Sequence, residues 1–195
     1  MNKRKVIVIG GQLGAGKTST ATGVSEKLGY GHFGGGIMHR KFAEELGLDY
    51  VTEYLEKLKT DTTFDNKVDE FQREYMATHD QVVADGHAAY FLAPFAFKVY
   101  LDLDRYVAAE RIFSDAKDNP KRTIEKNWNS VEDVYTHTKL RQEKDLVRFR
   151  SLFGESFNHL DKNNFDLVIN TSEHDLQEVT DMIIAKYQQW LSETE

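Results

Sequence analysis

The chain has no cysteine, only two prolines, and fewer positive than negative side chains. Without cysteine there can be no disulfide, thiolate metal site or cysteine nucleophile. The prolines, Pro94 and Pro120, both fall in stretches that read as loops, so no predicted helix or strand is interrupted. Lysine plus arginine number 25 against 32 acidic residues, a net charge of −7. Such a balance offers no overall attraction to DNA, RNA or an anionic membrane, and any positive charge used on phosphate must be local. No apolar run approaches the roughly 20 residues of a membrane-spanning helix. The basic start Met1-Asn2-Lys3-Arg4-Lys5 leads into an apolar run too short for a signal peptide, which reads as a strand. There is no internal repeat and no low-complexity segment. What remains, 195 residues with 40% hydrophobic and 29% charged content, suffices for one globular domain with a substantial core. The expectation is a single domain over residues 1–195, cytoplasmic and monomeric, with no nucleic-acid or membrane partner.

One stretch organises the rest: Gly11-Gln12-Leu13-Gly14-Ala15-Gly16-Lys17-Thr18, which matches the P-loop pattern of Gly, four variable residues and Gly-Lys-Ser/Thr. Its context fits. Lys5–Ile9 before it is a β-branched apolar run, as a buried parallel strand should be. After it Ala21, Val24 and Leu28 recur at helical spacing, and Gly29 stands where a helix C-terminal glycine belongs. Glycines let backbone N–H groups curl around an anion, and the helix N-terminus adds partial positive charge. Lys17 can then reach the outer phosphates of a nucleotide, and the Thr18 hydroxyl can bind Mg²⁺.

Helical and strand-like runs alternate along the chain. Candidate strands are Lys5–Ile9, Tyr30–Phe33, Gln81–Ala84, Phe97–Leu101 and Asp166–Ile169, which predicts an α/β fold with a doubly wound five-stranded parallel sheet. The triglycine Gly34-Gly35-Gly36 precedes a helix over Ile37–Leu46 that carries Arg40 one turn in. Phe64–His79 reads as a helix capped by Asp65, with Val68, Phe71 and Tyr75 as core. Asp85 ends the third strand, where it could hold the hydration shell of Mg²⁺ beside Thr18, and His87 follows as a pocket-lining candidate. Asp104 caps a helix running to Phe113, and the polar stretch from Ser114 to Ser130 reads as a mobile flap. Ser130-Val131-Glu132-Asp133 resembles a capping box opening a helix to about Leu152. On it Arg141, Lys144 and Arg148 share a face, a like-charge arrangement that costs about 0.2–0.5 kcal/mol per pair unless an anion offsets it. Thr171 or Ser172 caps a closing helix with a packing stripe of Leu176, Val179, Ile183, Tyr187 and Trp190.

Assembled, these residues resemble a nucleoside-monophosphate kinase of the P-loop NTPase class, in particular the archaeal type of cytidylate kinase, from about Lys5 to Trp190. The resemblance is carried by Gly34-Gly35-Gly36-Ile37-Met38-His39-Arg40-Lys41-Phe42-Ala43, by Arg141-Gln142-Glu143-Lys144-Asp145-Leu146-Val147-Arg148-Phe149 and by Asp166-Leu167-Val168-Ile169-Asn170-Thr171-Ser172. It implies ATP and Mg²⁺ as cofactors and a nucleotide as the small-molecule partner. Gly11, Gly14, Ala15, Gly16, Lys17, Thr18 and Ser19 would hold the triphosphate, with Thr18 and Asp85 on the metal. Residues 34–80 would form the acceptor region, with Gly36, Arg40, Asp85 and His87 touching the acceptor. Arg141 and Arg148 would join Lys17 in catalysis by clamping both phosphates. Residues 114–130 would be the lid, offering Lys117, Lys121 or Arg122. The chain departs from the family pattern at His87, where an arginine is usual, and at Ile37, where an acid is frequent. Two other readings stay open on the residues alone: a P-loop kinase for another nucleotide, a nucleoside or a small metabolite, with Asp85 as base where the acceptor is an alcohol, and a nucleotide-binding switch without turnover.

Overall fold

A computed structural model describes residues 4–48, 53–54, 57, 63–118 and 128–193. Its centre is a five-stranded sheet, β1 (Val6–Gly11), β2 (Gly31–Gly34), β3 (Val82–Asp85), β4 (Phe97–Asp102) and β5 (Leu167–Asn170), in the order β2-β3-β1-β4-β5. Every pairing is parallel. All five predicted strands are present within one or two residues of their expected ends.

β1 shows why the sheet is central. Each of its six residues is buried, because helices cover both faces and leave no polar side for alternation to record. Ile7 and Ile9 point to one face, where they pack with Val24 of α1 (Lys17–Leu28) and with Val179, Ile183 and Tyr187 of α7 (Leu176–Ser192). Val6 and Val8 point to the other, against Met76 of α3 (Thr63–Thr78), Leu92 of α4 (Ala89–Leu92) and Phe149 of α6 (Val131–Phe153). Each such aliphatic side chain contributes about 1.5–3 kcal/mol of burial. The chain leaves β1 for β2 on one side of the sheet and leaves β3 for β4 on the other. The carboxyl ends of β1 and β3 therefore flank the point where the winding reverses, the crevice in which such sheets bind ligands.

Several local expectations hold in detail. Gly29 ends α1 at φ 67°, in the left-handed region. Asp104 Oδ1 accepts from the N–H groups of Tyr106 and Val107, capping α5 (Arg105–Asp118). Ser130 caps α6 by accepting from Asp133 N, although Asp133 turns its own carboxylate to Asn129 N, so the reciprocal half of the box is missing.

Other expectations are corrected. α5 runs to Asp118, so the polar stretch Ser114–Asp118 is helix and not flap; polarity marks an exposed helical face as readily as a loop. α2 (Gly35–Glu45) absorbs the second and third glycines of the triglycine in its first turn. α3 begins at Thr63, which places Asp65 inside the helix and not at its cap. Phe71 is 42% exposed and stacks on Tyr75 with ring centroids 5.7 Å apart, so it is not core. α7 is capped by neither Thr171 nor Ser172 but by Asp175, in a full box with Glu178; the intervening turn belongs to the end of β5. Leu176, at 50% exposure, stands outside the stripe.

Candidate active site

The loop from Gly11 to Gly16 leaves β1 and enters α1 directly, with Lys17 as the first helical residue. Gly14 has φ 79°, and a Cβ on it would lie 2.9 Å from the carbonyl oxygen of Ala108 on α5. Glycine is required there twice over, for conformation and for space. Gly16, at φ 86°, occupies the cap position of α1 with no side chain between the helix N-terminus and a ligand. Gln12 lies buried and donates its side-chain amide to the carbonyl of Leu103, tying the loop to the turn after β4. Ala15 is buried and its N–H turns toward the carbonyl of Gln12. Ser19 is exposed in the first turn of α1.

Lys17 curls back over this loop. Its ammonium donates to the carbonyls of Gly11 at 3.0 Å and Gln12 at 2.8 Å. Burial lowers its pKa to about 8, opposed by the carboxylates of Asp85 and Asp145 and assisted by Arg141. The ammonium thus sits where a phosphate oxygen could replace two carbonyls.

Thr18 and Asp85 meet across the crevice. The Thr18 hydroxyl donates to Asp85 Oδ2 at 2.9 Å. Asp85 is 7% exposed at the end of β3, next to Gly34 in the β2 register. A Cβ on Gly34 would collide with the carboxyl group, its Cγ lying only 2.9 Å away. The first glycine of the triglycine is therefore explained by Asp85. The other carboxylate oxygen, Oδ1, accepts from His32 Nε2 at 2.8 Å. The opposite ring nitrogen of His32 lies 3.5 Å from the Thr22 hydroxyl, which itself donates to the Thr18 carbonyl. His32 was not foreseen from the sequence. Its signal was weak but present: a histidine in a short strand that is buried only in its second half, two positions before the glycine that faces Asp85. For a magnesium ion, the hydroxyl of Thr18 and the carboxylate of Asp85 are the hard oxygen donors that ion prefers, so the residues fit.

The remaining wall is α6. Arg141 and Arg148 flank Asp145, with Arg141 Nε 3.9 Å from Oδ2 and Arg148 Nη2 3.6 Å from Oδ1. The Arg148 guanidinium also lies over the Phe149 ring, 4.5 Å from its centroid. One carboxylate therefore pairs with both arginines, and Arg141 and Asp145 lie near enough to Lys17 to act on its charge. Lys144 is exposed, on the solvent side.

His87 follows β3 and is half buried; burial first, then Lys17 and His159, push its pKa well below the usual value. His159, in the turn after α6, is also held low, at about 4, by burial and by Lys17 and Arg148. Nothing local marks His159, which lies in an irregular segment without periodicity. Arg40 is exposed on α2, one turn beyond Gly36. The structure brings Lys17, Thr18, Asp85, His87, Arg141 and Arg148 to one crevice, whereas Arg40 is exposed on α2. Lys121 and Arg122 lie outside the described residues; Lys117 falls in the last turn of α5.

The AAA domain family matches residues 7–137. The chain is 31% identical over 169 residues to a cytidylate kinase of Natronomonas pharaonis, covering 86% of this chain and 81% of that protein. It is 27% identical to a cytidylate kinase of Methanobrevibacter smithii, with 92% and 96% covered. Among solved structures, a shikimate kinase from Bacteroides thetaiotaomicron superposes with a TM-score of 0.61 at 16% identity, covering 96% of this chain and 98% of that one. A gluconokinase from Sinorhizobium meliloti gives 0.58 at 15% identity, covering 99% and 97%. At that identity the two structures establish a shared fold.

Proposed function

The chain belongs to the AAA domain family and is a P-loop kinase, and on that premise we propose that it transfers the γ-phosphoryl group of ATP to a nucleoside monophosphate, CMP or dCMP, giving the diphosphate and ADP. The observation that carries this reading is the state of Asp85. Each of its oxygens already accepts a hydrogen bond, from Thr18 and from His32, which suits a residue that holds and does not abstract a proton. An alcohol acceptor needs a base; a monophosphate oxygen is already an anionic nucleophile. Sequence similarity to archaeal cytidylate kinases along most of the chain supports the choice of base.

The chain's own residues would act by position and charge. Lys17 exchanges two loop carbonyls for the transferred phosphoryl oxygens. Arg141 and Arg148, held as a pair by Asp145, neutralise charge on donor and acceptor phosphates as they approach in line. Thr18 and Asp85 would hold Mg²⁺, which when bound neutralises the outer phosphates of ATP. Arg40 serves the acceptor phosphate from α2, within an acceptor region spanning residues 34–80 of a single kinase domain.

The test is ADP release from Mg-ATP across CMP, dCMP, UMP, AMP, GMP, TMP and the matching nucleosides. Turnover with CMP or dCMP and none with cytidine is expected. Turnover with nucleosides but no monophosphate would overturn the reading, and ATP binding with silence across the panel would favour a switch.

A further inference from the structure

Three buried ring nitrogens without a hydrogen-bond partner among the described residues belong to two histidines: His87 Nδ1, and both Nδ1 and Nε2 of His159. The rings meet edge to face, with centroids 4.8 Å apart. His159 is 1% exposed. Around it stand Phe149 and Phe157, with ring centroids at 5.8 and 6.0 Å. In those surroundings an apolar side chain would leave nothing unsatisfied, whereas each orphaned nitrogen weakens the fold. A polar ring is therefore costly to keep at either position unless it serves a ligand, directly or through its neighbour. What it faces is cationic. Lys17, Arg141 and Arg148 act on His87 through space, and Lys17 and Arg148 act on His159. That field repels a metal cation and attracts an anion rich in acceptor oxygens.

We propose that His87 and His159 form one recognition element for the phosphate of the acceptor, in which His87 donates a ring N–H to a phosphate oxygen and His159 is a positioning residue that fixes the His87 ring. The inference rests on the proposed function and extends it to a residue outside every sequence motif. An imidazole N–H is a directional donor, and the edge-to-face contact with His159 sets the direction of the His87 ring. That chemistry favours a phosphate monoester over a nucleoside, and it places selectivity for the acceptor's phosphate on a loop remote in sequence from the P-loop.

The experiment compares wild type with His159→Leu, His159→Phe, His87→Ala and His87→Asn in steady-state turnover and thermal melting. In the His159 variants the KM for CMP rises roughly tenfold, the loss of about one hydrogen bond. The KM for ATP and kcat stay within about twofold, and the melting temperature holds or rises, because an apolar group replaces an unsatisfied one. Inhibition by inorganic phosphate against CMP weakens in parallel, while inhibition by cytidine does not. His87→Asn, which keeps an N–H donor, retains more CMP affinity than His87→Ala. Unchanged KM for CMP and unchanged phosphate inhibition in folded His159 variants would overturn the proposal. So would weakened cytidine inhibition with phosphate unaffected. Should no monophosphate be phosphorylated by the wild type, the proposed function fails separately. Calorimetric binding of inorganic phosphate to wild type and variants then decides this inference, loss in the variants supporting it and equal binding ending it.

Discussion

The hydroxyl of Thr18 donates a hydrogen bond of 2.9 Å to Asp85, joining the first turn of α1 to the end of β3 across 67 residues of sequence. Parallel pairing of β1 with β3, Ile9 opposite Asp85, makes the bond possible. Neighbouring strands lie about 4.8 Å apart, so a loop leaving one and an acid ending the other share a single crevice.

Lys17→Ala removes the ammonium that now spans the Gly11 and Gln12 carbonyls. Turnover should fall by at least ~100-fold, as for loss of one preorganised charge donor. Circular dichroism should show an intact fold, since the side chain is outside both apolar clusters. Near-normal turnover in the folded variant would remove Lys17 from phosphate binding.

His32→Ala leaves Asp85 Oδ1 without the partner that fixes the carboxylate. Loss of such a supporting contact typically costs about 10–100-fold in metal affinity or activity. The Mg²⁺ concentration for half-maximal turnover should rise, and calorimetry should show weakened Mg-ADP binding with metal-free ADP binding little changed. Identical Mg²⁺ dependence in variant and wild type would reduce His32 to a packing residue.

Gly34→Ala places a methyl group against the Asp85 carboxyl. Either β2 shifts or Asp85 rotates away from Thr18. Overpacking of this kind costs about 1–3 kcal/mol, so a lower melting temperature together with reduced turnover is expected. A variant as stable and as active as wild type would show that the β2–β3 edge tolerates the methyl group.

Arg40→Ala should raise the KM for the acceptor and leave ATP binding intact, because the proposed function assigns Arg40, exposed on α2, to the acceptor's phosphate. Parallel losses toward both substrates would contradict that division.

Acid should destabilise the protein earlier than its carboxylates alone require. His159 is neutral in the fold, with a pKa of about 4 against 6.5 in an unfolded chain, lowered first by burial. Between those values the unfolded state binds the extra proton, so the stability of the fold is at its full value above pH 6.5 and is lost progressively as pH falls through about 4. The shift corresponds to about 3 kcal/mol. His87 is displaced in the same direction and adds to the effect. Urea unfolding from pH 7.5 to 4.0 should show the decline in wild type and a shallower one in His159→Leu. Parallel curves would mean that His159 does not carry it.

The sequence by itself determined the sheet, the P-loop and the helix that follows. Buried parallel strands read as unbroken β-branched runs, as Val6–Ile9 does, and the glycines of the loop stand at spacings that backbone geometry imposes. It also determined the caps at Asp104 and Ser130, since capping is a contact between residues two or three apart. Only the tertiary structure decided the partners. That Gly34 is glycine because of Asp85, that His32 fastens that acid, and that the part of α6 bearing Arg141 lies near Lys17 are consequences of strand order and helix docking. The pairing of His87 with His159 has no local trace at all: the two belong to different irregular turns, brought together where β3 ends beside the end of α6. Patterns of burial and capping repeat along a chain and are legible in it, whereas the contacts that make this crevice chemically specific are single long-range events with no period to announce them.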